Sequence, residues 1–293
     1  MKSADRRKCW FLLVGSVLAC GGAQSSRPGT PSPLPVSPSQ PAVPTAPTAV
    51  ASSFKYAPGT VKYRISRSAA IEGNGPDSLG HREISTNITH ELLTLEPAVD
   101  QALNFTALID SSATTTQGLI GSVQSIQLPV QVSGSFTDST LIINTEVSGE
   151  KCNAIGSMLA TDLHNLLIAF PKQLSTGVSW KDSADVAGCQ AGVPASTHTT
   201  RSYVVSGDAS YSGRPVLVIQ RTDTTHAKGE GGLQQHRVSI DASGTGTALY
   251  YIDIGSGQIM RLTVDQLFDL GVTASGRRSQ FKQISKQDFQ IIP

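Results

Sequence analysis

The stretch Asn153-Ala154-Ile155-Gly156-Ser157-Met158-Leu159-Ala160-Thr161-Asp162-Leu163-His164-Asn165-Leu166-Leu167-Ile168-Ala169-Phe170 sets the terms for reading the rest of the chain. Ile155, Met158, Leu159, Leu163, Leu166, Leu167 and Phe170 recur at helical spacing and make one apolar stripe. Asn153 suits an N-cap, and Pro171 stops the run because the residue before a proline avoids helical backbone. Asp162, His164 and Asn165 fall on the other face. The spacing predicts an amphipathic helix over 153–170.

On both sides of this helix the pattern has period two instead. Alternation runs through Val61–Ile65, Ile84–Leu92, Ala102–Ile109, Val130–Phe136 and Leu141–Val147. It resumes in Ser202–Val205, Pro215–Gln220, Arg237–Ile240, Ala248–Ile254, Gln258–Phe268 and Gln280–Ile291. Gly255-Ser256-Gly257 marks a hairpin turn, and Gly207–Gly213 and Gly229–Gly232 read as longer loops. A mainly β domain over 54–293 follows: one curved antiparallel sheet wrapped around the helix.

The N-terminus carries an address. Arg6, Arg7 and Lys8 precede an apolar run from Trp10 to Ala19, too short for the ~20 residues that span a bilayer. A basic start, a short apolar stretch and a small residue before the cut make a secretory signal. Val17-Leu18-Ala19-Cys20 resembles the lipobox of bacterial lipoproteins, which implies cleavage after residue 19 and acylation of Cys20. Gly21 rather than Asp follows, which by the same resemblance implies the outer membrane of the cell envelope. Residues 20–53 then read as a tether. From Gln24 to Ser53 the sequence is mostly Pro, Ser, Thr and Ala with Arg27 as its charge, unable to bury enough apolar surface to order itself. As polyproline II it would reach roughly 90 Å.

Composition excludes some functions. Loss of residues 1–19 removes Lys2, Arg6, Arg7, Lys8 and Asp5, so 23 positives and 22 negatives become 19 and 21. A net charge of −2 without basic clusters argues against nucleic acid as a partner. Cys9 leaves with the signal, so Cys152 and Cys189 are left to form a disulfide in an oxidising compartment, worth roughly 4 kcal/mol by loop closure.

Chemistry-bearing motifs are scarce. His90-Glu91-Leu92-Leu93-Thr94 begins like a zinc helix but lacks the second His and lies in a strand pattern. Neither a phosphate loop nor a Gly-x-Ser-x-Gly nucleophile elbow occurs. His226 and His236 are weak metal candidates: a loop at 229–232 would set them diagonally on one face, with Asp223 as a third ligand. The sequence implies no cofactor, no catalytic residue and no enzyme.

A lipobox, a proline-rich tether and an antiparallel meander around one helix together resemble the LolA/LolB/LppX-like lipoprotein carriers, in architecture alone. The resemblance implies an incomplete barrel plugged on its open side. The expected function is a membrane-tethered, non-enzymatic envelope lipoprotein that binds a lipid or other hydrophobic ligand against Ile155, Met158, Leu159, Leu163, Leu166, Leu167 and Phe170. The alternative is a structural or interaction module with a solid core.

Overall fold

The computed structural model describes residues 54–75, 80, 82–99, 102–117, 128–137, 140–144, 154–190, 193–233 and 236–293. The signal, Cys20, the tether and Cys152 lie outside the described residues. Among those described, eleven strands form one antiparallel sheet, joined by one helix.

The strands are β1 (Gly59–Gly73), β2 (Arg82–Pro97), β3 (Leu103–Gln117), β4 (Val130–Phe136) and β5 (Leu141–Asn144) before helix α1 (Ala154–Leu166). After it come β6 (Ser179–Gln190), β7 (Val193–Tyr211), β8 (Arg214–Leu233), β9 (His236–Asp253), β10 (Ile259–Ala274) and β11 (Arg277–Ile292). Each strand lies beside its sequence neighbour except at one join, where β1 pairs with β11 and stitches the two meanders together. The order β5-β4-β3-β2-β1-β11-β10-β9-β8-β7-β6 puts β5 and β6 at its two edges among the described residues. The sheet curls into a half-barrel, and α1 packs on β6, β4 and β3 across the opening.

Alternation explains the core. Val61, Tyr63 and Ile65 of β1, Leu93 and Leu95 of β2, Tyr203 and Val205 of β7 and Tyr250 and Ile252 of β9 are buried on one face. They meet Leu159, Leu163, Leu166 and Leu167 of the helix region. Each fully buried side chain of this kind contributes roughly 1.5–3 kcal/mol.

Several expected elements are longer, shorter or new. The helix ends at Leu166 rather than at residue 170. Tyr56, just before β1, terminates it: the Ile168 N–H donates to the Tyr56 hydroxyl at 2.8 Å, and that hydroxyl donates to the Leu166 carbonyl at 3.1 Å. β6 was not expected, because its inward residues Asp182, Ala184 and Val186 carry little hydrophobic signal. The expected loop at 207–213 is strand up to Tyr211, with a bulge between Val205 and Gly207 that Gly207 permits at φ 138°. The expected loop at 229–232 is strand as well. Glycine there reflects crowding: a Cβ on Gly229 would stand 2.7 Å from the Pro194 carbonyl of β7.

Candidate functional site

The inward face changes character part-way along the strands. On β1 the inward series Val61, Tyr63, Ile65 continues with Arg67; on β2 Leu95, Leu93 continues with Glu91 and Thr89. On β7 Val205, Tyr203 continues with Arg201 and Thr199; on β8 Leu217, Ile219 continues with Arg221, Asp223 and Thr225. Beyond this polar stretch along the strands lies a small apolar cluster of Val193, Val238 and Ile240. Between the two apolar regions lies a cavity of about 410 Å³. Met158, His164 and Asn165 of α1 border it, as do Arg67, Arg201 and Arg221 of the sheet.

Three arginines form the boundary, each with its own carboxylate. Arg201 makes a two-point contact with Asp182, Nε at 2.6 Å and Nη2 at 2.8 Å, and its Nη1 donates to the His164 carbonyl at 2.6 Å. Arg221, 2% exposed, pairs with Asp223 at 2.8 Å and donates to Asn165 Oδ1 at 2.9 Å and to the Tyr250 hydroxyl. Arg67 pairs with Asp162 and donates to Glu91 at 3.1 Å and Thr89 at 2.7 Å. The flat guanidinium faces rest on the aromatic roof of the core, Arg67 5.9 Å from the Phe289 ring centre and Arg221 5.5 Å from that of Tyr250. Such stacking suits Arg, whose weakly hydrated plane tolerates an aromatic face.

Electrostatics follow from burial. Burial and the adjacent Asp162 charge push Glu91 well above the usual carboxylate range, against the pull of Arg67. Glu91 hydrogen-bonds to Asp162, which burial likewise pushes up against the pull of the Arg67 charge paired with it. Burial also lowers His164 to about 4, helped by the Arg201 charge, so this imidazole is neutral. Three guanidinium groups thus face four carboxyl groups, Glu91, Asp162, Asp182 and Asp223. The cavity wall is polar, with Asn87, Thr197, Thr199 and Thr225 as neutral donors and acceptors along it.

Both faces of α1 are consequently buried. Leu159, Leu163, Leu166 and Leu167 sit in the core, with Ile155, Met158 and Phe170 packed on it half-buried. Of the seven stripe residues Met158 alone borders the large cavity. Phe170 lines a separate 260 Å³ hollow near Phe54 and Tyr56. Asp162 and Asn165, on the opposite face, are buried against the arginines.

The histidine pair expected from sequence is not brought together. β8 runs to Leu233 and β9 starts at His236, so His226 pairs with Ser243 and His236 with Leu233, seven register steps apart. Asp223 belongs to the inner face with Arg221, whereas His226 stands on the outer face. Among the described residues no group of three or more His, Cys, Asp or Glu is arranged to hold a metal. The Cys152–Cys189 pairing lies partly outside the described residues. Cys189 itself is in β6, where its N–H donates to Ser157 Oγ of the first helical turn at 2.8 Å.

Arg67, Glu91, Asp182, Arg201 and Arg221 were missed in the sequence. Their signal is parity: each continues an inward apolar series by two-residue steps, as in Ile219-x-Arg221-x-Asp223.

No family model and no curated protein matches the chain. Among solved structures it is similar to Pseudomonas aeruginosa OccK1 (OpdK), at 6% identity and a TM-score of 0.18, over 80% of this chain and 98% of that chain. A score that low carries no argument about fold or function. The half-barrel stands on its own strand register.

Proposed function

We propose that the chain is a non-enzymatic bacterial envelope lipoprotein, held in the outer membrane through acylated Cys20, that binds a ligand in the polar stretch of its half-barrel. The observation that carries the reading is the 410 Å³ cavity between two apolar clusters, since ligand sites are largely pre-formed concavities of ≈ 300–1,000 Å³. Its polar wall favours a ligand with a polar group, such as a lipid headgroup, over a bare acyl chain. A likeness to the LolA/LolB/LppX-like carriers fits the same reading: an open curled sheet with a helix across its mouth. In this proposal the Cys152–Cys189 bridge anchors the helix start, and the proximity of Cys189 to Ser157 supports it.

One observation favours the alternative of a structural module. The apolar half is filled by its own side chains, with Leu159, Leu163, Tyr250 and Phe289 each at 1% exposure or less. Native mass spectrometry of protein extracted from its own membrane separates the two. The carrier reading expects a discrete added mass that disappears in Ala184→Trp, which would fill the cavity. Bare protein in the wild type would leave the structural module.

A further inference from the structure

We propose that His198 and His226 form a two-imidazole site for a divalent transition-metal ion of the zinc, nickel or copper kind, on the outer face of the sheet. The two residues are direct register partners across β7 and β8. Such partners carry Cβ atoms about 4.5–5.5 Å apart.

A third residue orients the first. Asp185 is the register partner of His198 on β6, and its Oδ1 lies 2.7 Å from His198 Nδ1. Nδ1–H then donates to the carboxylate and Nε2 keeps its lone pair for a metal, the arrangement that fixes the tautomer of metal-bound histidines. Asp185 is thus a positioning residue. Imidazole donors select borderline ions such as zinc, nickel and copper, whereas calcium and magnesium demand oxygen. Side-chain exposures of 50% for His198 and 76% for Asp185 leave the remaining coordination positions to water. The site lies on the opposite face from the cavity, so it stands or falls independently of the proposed function.

The test is calorimetric titration of nickel or zinc chloride into the full chain carrying no affinity tag. One ion per chain is expected, with affinity falling at least tenfold in His198→Gln and in His226→Gln. Asp185→Asn should weaken binding about 10–100-fold, and His236→Gln should leave it unchanged. The metal should also raise the thermal midpoint of the wild type and not that of the double His variant. All four positions are on outer strand surfaces or at the start of β9, and circular dichroism checks that each variant folds; if one His variant does not, the other decides. Absence of saturable binding in the wild type, or binding that survives His226→Gln, overturns the site.

Discussion

The concave face of this half-barrel has two halves built on the same strands with the same parity, and they are stabilised in opposite ways. In one, Val61, Ile65, Leu93, Leu163 and Phe289 are buried against one another and the helix. In the other, a few residues further along, Arg67, Arg201 and Arg221 occupy equivalent inward positions and border a 410 Å³ space. The first half is tolerant in kind: any apolar side chain of the right volume would serve. The second is tolerant in nothing, because each charge depends on a named partner. A close-packed core supplies stability, and a cavity walled by paired charges keeps its shape without being filled.

The largest effect should come from the charged half. Arg221→Ala leaves Asp223 buried and unpaired, and unfolding in urea should show a loss of about 3–5 kcal/mol. Replacing Arg221 and Asp223 together by Met and Leu should recover most of it. A double variant as damaged as the single one would mean that the pair does not act as a unit.

In the packed half, Leu163→Ala should cost about 2–5 kcal/mol, and Leu163→Trp about 1–3 kcal/mol by overpacking. If the tryptophan variant is as stable as the wild type, the space under the helix is not filled and the contrast between the halves fails.

Titration distinguishes the halves further, since the buried ionisable groups at the helix border the polar one. Glu91 is raised in the folded state, so its contribution is complete below its ordinary value of 4.5 and is lost as pH climbs toward the raised one. His164 has the opposite sign: lowered from 6.5 to about 4, it costs stability as pH falls through that window. Denaturation followed from pH 4 to 9 should therefore lose its decline with rising pH in Glu91→Gln and its decline with falling pH in His164→Gln. Unchanged slopes in both would show that neither group titrates differently on folding.

The smallest effect belongs to the outer face. Lys286→Ala breaks a 3.3 Å pair with Asp265 whose side chains are 71% and 57% exposed. Double-mutant cycles on such pairs give roughly 0.2–1 kcal/mol, and the thermal midpoint should barely move. A large shift would mean that the outer face, too, depends on specific partners.

The strands with apolar inward residues were legible in the sequence. Val130–Phe136 is β4 to the residue, and the Gly255–Gly257 turn stands where alternation placed it. The helix was legible through its stripe, although its last turn was not, because Tyr56, more than a hundred residues away in sequence, supplies the group that ends it. Alternation failed where inward residues are polar or glycine. β6 went unseen, and Arg237–Ile240 and Ala248–Ile254 read as two strands although β9 runs unbroken through the glycines between them. An inward Arg and an outward Arg are the same letter in a period-two pattern until the sheet declares which face is inside. The histidines show it best: local spacing suggested His226 with His236, and the ladder gave His226 to His198.

The sequence by itself determined the class of the domain, a single antiparallel sheet around one helix, because hydrophobic periodicity is a local property that the burial of one face enforces. Tertiary structure alone decided where that sheet closes on itself and what its inner face holds. The β1–β11 join and the Arg67–Asp162, Arg201–Asp182 and Arg221–Asn165 contacts connect residues far apart in the chain. A buried charge is tolerable only when a partner is brought to it, and the partner's identity is a fact of register and curvature, which no window of sequence contains.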